Sequence, residues 1–218
     1  MINMEKVLDG KEYLLQSNNL KVILPISYLG TISYYHKILK FNEIYIEKME
    51  NFVKQTNRNR CEILISNGIQ TLTIPKKRKS SDKIIIKDIQ ISNNEKWQKK
   101  HWKAIRTAYN SSPFFEYYAS ELEVFYSKPY DNLFNFNYQL IQLIMTFLQI
   151  DKKIKFTCEF NKNFNGIDLR NNSFNKKNIE KYQQVFSNKL PFKSDLSIID
   201  LLFNLGPEST CYLERQSI

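Results

Sequence analysis

Between residues 21 and 50 the chain changes its apolar period twice, and few folds accept that order of changes. KVILP is a short apolar run that stops at Pro25 and turns near Gly30. TISYYHKILKF, residues 31 to 41, then places Ile32, Tyr35, Ile38 and Leu39 at helical spacing. EIYIEKME returns to a strand pattern. A strand, a short helix and a second strand predict a parallel crossover, because parallel neighbours need a long connection and antiparallel ones close with a tight turn.

The next elements are of other kinds. RCEILIS and IQTLTIP flank Asn67-Gly68, the strongest short hairpin signal, and predict an antiparallel pair. KIIIKDIQI (83 to 91) reads as a further strand. In SNNE, Ser92 and Glu95 are spaced like a capping box ahead of a helix, KWQKKHWKAIRTAY. Ser112-Pro113 restarts a helix carrying FFEYYASELEVFY, with proline suited to its first turn, and NLFNFNYQLIQLIMTFLQI is a third, largely buried one. KIKFTCEF (153 to 160) alternates like a strand with Ile154, Phe156 and Cys158 on one face. The Asn-rich FNKNFNGIDLRNNSFNKKN reads as an exposed loop, before two closing helices, NIEKYQQVF and LSIIDLLFNLG, the latter ended by Gly206-Pro207. With no internal repeat and no linker, residues 1–218 are expected to form a single α/β domain. Its mixed sheet comes mainly from the N-terminal half, with residues 153–160 added, and packs against helices of the C-terminal half.

Composition narrows the functional classes. A 42% hydrophobic and 14% aromatic content can build a core. The richest apolar run, LIQLIMTFLQI, is about half the ~20 residues that span a bilayer, so stable membrane insertion is not expected. MINMEKVLDGKEYLL lacks the layout of a signal peptide, and the three separated cysteines (Cys61, Cys158, Cys211) fit a reducing compartment, so a cytoplasmic location is expected. The net charge of +10 invites a polyanion, but only six of the 32 basic residues are arginine, and the chain is rich in Lys, Asn and Ile. These three share AT-rich codons, so genome composition explains much of the excess and nucleic acid is disfavoured as a partner. No G-x-G-x-x-G, P-loop, C-x-x-C, H-E-x-x-H or G-x-S-x-G occurs, and with two histidines and five glycines no metal site or cofactor is expected.

Four constellations remain. In KQTNRNRCEIL, residues 54 to 64, Arg58 and Arg60 stand one residue apart in a chain that otherwise prefers lysine. On a strand over 58–64 they would share a face with Glu62, about 7 Å apart. Each planar guanidinium can fork onto a carboxylate or phosphate in a way an ammonium cannot. The structural alternative is internal ion pairing with Glu47, Glu50 or Glu62. In EKWQKKHWKAIRTAYNSSPFFEYY, His101 stands four residues after Trp97, with Trp102, Arg106 and Tyr109 on an adjacent stripe. His101 is a candidate general base tuned by desolvation, or a satisfied core histidine. PKKRKSSDK (75 to 83) is a phosphate clamp, a membrane-touching loop or a solvated charge run. Asp200 interrupts an apolar helix, with Ser197 and Asn204 at helical spacing. It and Glu208 are either exposed polar groups or carboxylate partners behind the two arginines.

LPISYLGTISYYHKI, EIYIEKMENFVKQTNRNRCEI, NGIQTLTIP, WQKKHWKAIRTAYNSSPFFEYY and LSIIDLLFNLGPES occur in the order and spacing of the WbqC-like family. The resemblance covers residues 20 to 213, and E-N-x-x-K-Q ahead of N-R-C is similar to its Bacteroidetes branch. The positions matching recurrent family residues include Pro25, Tyr28, Glu47, Glu50, Lys54, Gln55, Arg58, Asn59, Arg60, Trp97, His101, Asp200 and Glu208. This chain departs from many relatives in carrying Leu24-Pro25 for Gln-Pro and Leu29-Gly30 where a Pro-Trp-x-Gly turn is familiar. The resemblance implies a cytoplasmic transferase for surface polysaccharide of the O-antigen type, moving glycine or another small acyl group or handling an activated sugar. Arg58 and Arg60 would then grip a small anionic substrate, a phosphorylated sugar or activated acyl donor. Lys54, Gln55, Asn59, Tyr28 and Glu50 would orient it, and His101 would act as base. The alternatives are a non-enzymatic module that binds an anionic ligand or an envelope-assembly partner, and thirdly a tRNA-binding protein.

Overall fold

The expected crossover is present. In the computed structural model, which describes residues 21–77, 83–171 and 179–217, β1 (Lys21–Pro25) pairs in parallel with β2 (Glu43–Glu47), Lys21 against Glu43 through Pro25 against Glu47. Helix α1 (Ile32–Lys40) connects them. Two short strands complete the sheet, β5 (Ile154–Phe156) beside β2 and β6 (Ile167–Asp168) beside β1. The order is β5-β2-β1-β6 with every neighbour parallel. β3 (Arg60–Ile65) and β4 (Gly68–Thr73) form a separate antiparallel hairpin. Ile65 pairs with Gly68, so Ser66 and Asn67 make the two-residue loop and Gly68 takes φ 132. The strands thus come mainly from the N-terminal half.

Helices of the C-terminal half cover them: α2 (Trp97–Tyr109), α3 (Phe115–Ser127), α4 (Leu133–Phe147), α5 (Ile198–Leu205) and α6 (Ser209–Arg215). The apolar faces predicted from their periods meet in one core that includes Val22, Leu24, Ile44, Ile46, Trp97, Phe136, Ile141 and Leu201. Gly206 ends α5 at φ 54, with the Phe114 ring packed where a Cβ would stand. Lys152 donates from Nζ to the carbonyls of Ile38, Leu39 and Phe41, closing the C-terminal end of α1.

Several expectations are corrected. KIIIKDIQI is not a strand: Ile86–Asp88 is a 3-10 turn, and single bridges at Ile85, Gln90 and Ile91 hold the rest. Ile86, Ile89 and Ile91 of the apolar run are core, but among the described residues no ladder partner runs beside it. The capping box does not form, because Lys96 at φ 50 is the residue before α2. The part of NIEKYQQVF within the described residues is irregular and turn, not helix, and a helix at 209–215 follows α5 instead. The Asn-rich stretch contributes β6, and Cys158 lies beyond the three-residue β5, exposed. Residues 78–82 of the basic loop lie outside the described residues. Among the described residues no helix is long and apolar enough to cross a membrane.

Candidate functional site

In a parallel sheet all carboxyl ends share one edge, and ligands collect where the strand order reverses. Here the chain leaves β1 towards β2 on one side, while β6 joins β1 on the other. A cavity of about 640 Å³ opens at that edge. Its walls are the loop after β1 (Pro25, Tyr28 to Thr31), the turn before β3 (Gln55 to Arg58), β3 itself (Arg60 to Glu62), the segment after β6 (Arg170, Asn171), and Asp195 with Ser197 ahead of α5. Backbone bonds fix these walls to each other. Tyr28 N–H donates to Asn57 O at 2.8 Å, Ser197 N–H to Glu62 O at 3.0 Å, and Ile198 N–H to Gly30 O at 2.9 Å.

The two arginines of the N-R-N-R run part company. β3 begins only at Arg60, so Arg58 lies in the turn and turns inward. Arg58 donates from Nε to Glu50 Oε1 at 2.7 Å and from Nη2 to Glu50 Oε2 at 2.6 Å, a bidentate fork with both side chains under a tenth exposed. Its Nη2 also meets Arg170 O at 3.1 Å and its Nη1 meets Thr56 Oγ1 at 3.3 Å. Burial pushes the Glu50 carboxyl up from its ordinary range, and the Arg58 guanidinium opposes that shift. Arg170 is a second tied guanidinium. It forks onto Asp168 and reaches Glu47 Oε2 at 2.9 Å, and its contacts hold Asp168 below the ordinary carboxyl range. Both cations are matched by the chain's own acids.

Arg60 is different. Its Nε is buried with no hydrogen-bond partner, and among the described residues no ion pair engages its guanidinium. A buried donor left unsatisfied typically costs about 1–3 kcal/mol. The other natural anion receptor is already filled. At the start of α1, Ile32 N–H donates to Leu196 O, Ser33 N–H to Asp195 Oδ1, Tyr34 N–H to Thr31 Oγ1 and Tyr35 N–H to Thr31 O. All four leading amides are satisfied, and the Asp195 carboxylate sits where an anion would.

Backbone strain marks the same place. Five described non-glycine residues have positive φ, and three of them line the cavity: Leu29 (φ 42), Gln55 (φ 60) and Asp195 (φ 51). Left-handed backbone is costly for a branched residue such as leucine and persists only where the surroundings enforce it, as functional sites do.

The remaining sequence candidates fall as follows. Gln55 lines the cavity, while Lys54 beside it is exposed and off the lining. Asn59 is buried and splints β4's end, donating from Nδ2 to Ile74 O at 2.9 Å. Tyr28 lines the cavity, and its hydroxyl contacts His101 Nδ1 at 2.8 Å and Tyr126 Oη at 2.9 Å. His101 is 6% exposed, packs edge-on to Trp97, and is not among the lining residues. Burial drives its pKa down to about 4 despite a backbone hydrogen bond at Thr73 that works the other way. Asp200 is not part of an exposed strip and does not pair with either arginine. It is fully buried, accepting from Tyr109 Oη at 2.9 Å, from Gln184 Nε2 at 2.9 Å and from the Tyr182 hydroxyl, and desolvation raises its pKa. Ser197 and Asn204 are buried with it, and Glu208 is exposed beyond α5. Sequence reasoning passed over Arg170, Asn57 and Asp195. Only Arg170 carried a signal, as a scarce arginine in the NGIDLR run.

No group of three or more His, Cys, Asp or Glu able to hold a metal ion occurs among the described residues. A model of the WbqC-like protein family matches residues 27–166 and 159–212. The chain is 24% identical over 225 residues to Uncharacterized protein Rv1507c of Mycobacterium tuberculosis (strain ATCC 25618 / H37Rv), covering 88% of this chain and 96% of that protein. No solved structure matches it.

Proposed function

The chain belongs to the WbqC-like protein family, and on that premise we propose that it is a transferase of surface-polysaccharide assembly whose donor carries a phosphate or carboxylate gripped by Arg60. One observation carries this reading: a guanidinium with a buried, unpartnered Nε stands in the wall of an open cavity at the carboxyl edge of a parallel sheet. The donor is a phosphorylated sugar or an activated acyl compound, glycyl among them, used in the cytoplasm. Gln55 and Asn57 orient it from the turn above Arg60. In acyl transfer the acceptor's amine or hydroxyl attacks the donor carbonyl, the bond to the leaving group breaks, and the acceptor's proton must go to a base. Glu62, two residues along β3 on the same wall, is the carboxylate placed to take it. His101 serves as a positioning residue through Tyr28. The E-N-x-x-K-Q run keeps the assignment to the Bacteroidetes branch as part of the same proposal.

A second reading, a module that holds an anionic ligand without transforming it, is favoured by the sequestered position of His101. The two are tested together by thermal denaturation against sugar phosphates, nucleotide sugars and acyl phosphates, followed by mass analysis of donor and acceptor mixtures. Stabilisation by one donor class, lost in Arg60→Lys and Arg60→Ala, supports the site, and product formation lost in Glu62→Gln supports the transferase. Stabilisation that survives Arg60→Ala refutes the site, and tight donor binding without turnover on any acceptor refutes the transferase.

A further inference from the structure

A second hollow, of about 400 Å³, lies between α2 and α3 and shares no lining residue with the first. Lys99, Lys103 and Arg106 of α2 stand along it at i, i+4 and i+7, so one helix stripe aligns three cations over about 10.5 Å. Among the described residues none of the three forms an ion pair, and Glu123 is the one acid on the lining. Trp102 and Tyr126 make the apolar floor, their rings stacked 5.9 Å apart, and Trp102 stacks again on Phe115 at 6.2 Å. The floor is therefore held rigidly before anything binds. The indole Nε1–H of Trp102 is buried and has no partner. Three unpaired cations on a convex helix face would be ordinary surface, but here they rim a concavity whose floor residue has a donor to spare.

We propose that this hollow between α2 and α3 binds a small, multiply charged phosphate ligand of the diphosphate class. A single phosphate bridges two neighbouring cations of such a row, whereas a diphosphate can engage all three. The stacked faces of Trp102 are already covered by Tyr126 and Phe115, so a base stacked on the indole, as single-stranded nucleic acid would require, is not accommodated.

The test uses inorganic pyrophosphate and orthophosphate at matched ionic strength with the full chain, read by calorimetric titration. Pyrophosphate is expected to bind more tightly than orthophosphate, and Lys103→Ala and Arg106→Ala each to weaken it roughly ten- to hundredfold. These exposed side chains leave the fold intact, and Trp102→Phe, which keeps an aromatic ring but removes the indole N–H with its five-membered ring, should also weaken binding. Arg60→Ala should leave it unchanged, which separates this site from the first cavity. Pyrophosphate binding that is absent, unaffected by Lys103→Ala with Arg106→Ala, or abolished by Arg60→Ala would overturn the proposal. So would binding confined to phosphatidylglycerol vesicles, which would make the stripe a membrane contact instead.

Discussion

Replacing Arg58 by alanine should cost the fold far more than replacing Arg60, although the two lie only two positions apart on the chain. The Arg58 side chain is 6% exposed and its partner Glu50 is 7% exposed, joined by two short hydrogen bonds. Removing the cation strands a carboxylate whose pKa burial already raises. Breaking one side of a buried pair costs about 3–5 kcal/mol, which lowers Tm by roughly 6–20 °C in a domain of this size. Arg60→Ala removes a guanidinium that stabilises nothing internal, so its effect should stay within about 1 kcal/mol. Urea denaturation followed by tryptophan fluorescence, with thermal melts beside it, measures both. The Glu50→Ala single and the Arg58→Ala/Glu50→Ala double close a cycle, and the double should cost much less than the sum of the singles. Equal losses for Arg58→Ala and Arg60→Ala, or additive behaviour in the cycle, would refute the division of labour between the two arginines.

Two further outcomes follow from the buried polar groups. His101 is held neutral, its pKa near 4 against an unfolded value of about 6.5, so the unfolded chain takes up a proton that the native state refuses. Stability is unaffected above the unfolded pKa and should fall by about 3 kcal/mol as pH drops from 6.5 to 4. His101→Phe should remove that part of the slope in denaturation measured across this window. Asp200→Asn sets an amide N–H₂ among the donors of Tyr109, Tyr182 and Gln184, and should destabilise by about 2 kcal/mol in urea titrations at pH 7. A neutral effect would show that the carboxylate is not the acceptor hub described.

The local periods made most of the fold legible. The change from strand to helix and back over residues 21–47, the hairpin around Asn67, and the apolar stripes of α2, α3 and α4 all appear as expected. The misses are non-local. β6 is two residues inside an Asn-rich stretch and exists because β1 offers an unpaired edge, which no local pattern announces. KIIIKDIQI has every local mark of a strand and among the described residues makes only isolated bridges. For the site, arginine scarcity drew attention to residues 58–60, where identical side chains in one short run took opposite fates. Both line the cavity, and where β3 starts decides which guanidinium is tied to Glu50; a shift of one or two residues at a strand end lies below what periodicity resolves. The left-handed backbone at Leu29 and Gln55 was invisible because neither is glycine, asparagine or aspartate, the usual markers of positive φ; Asp195 is of a type that adopts it, but one aspartate among many is no signal.

Among the described residues that line the cavity, Arg60 carries the cation that no acid of the chain matches. The ¹⁵Nε–¹Hε resonances of the arginines, followed while sugar phosphates and acyl phosphates are titrated into the ¹⁵N-labelled protein, report on that difference. A saturable shift is expected at Arg60, whose Nε lacks a partner, and little change at Arg58 and Arg170, whose Nε protons already sit on Glu50 and Asp168. A still Arg60 resonance beside a moving Arg58 would contradict it.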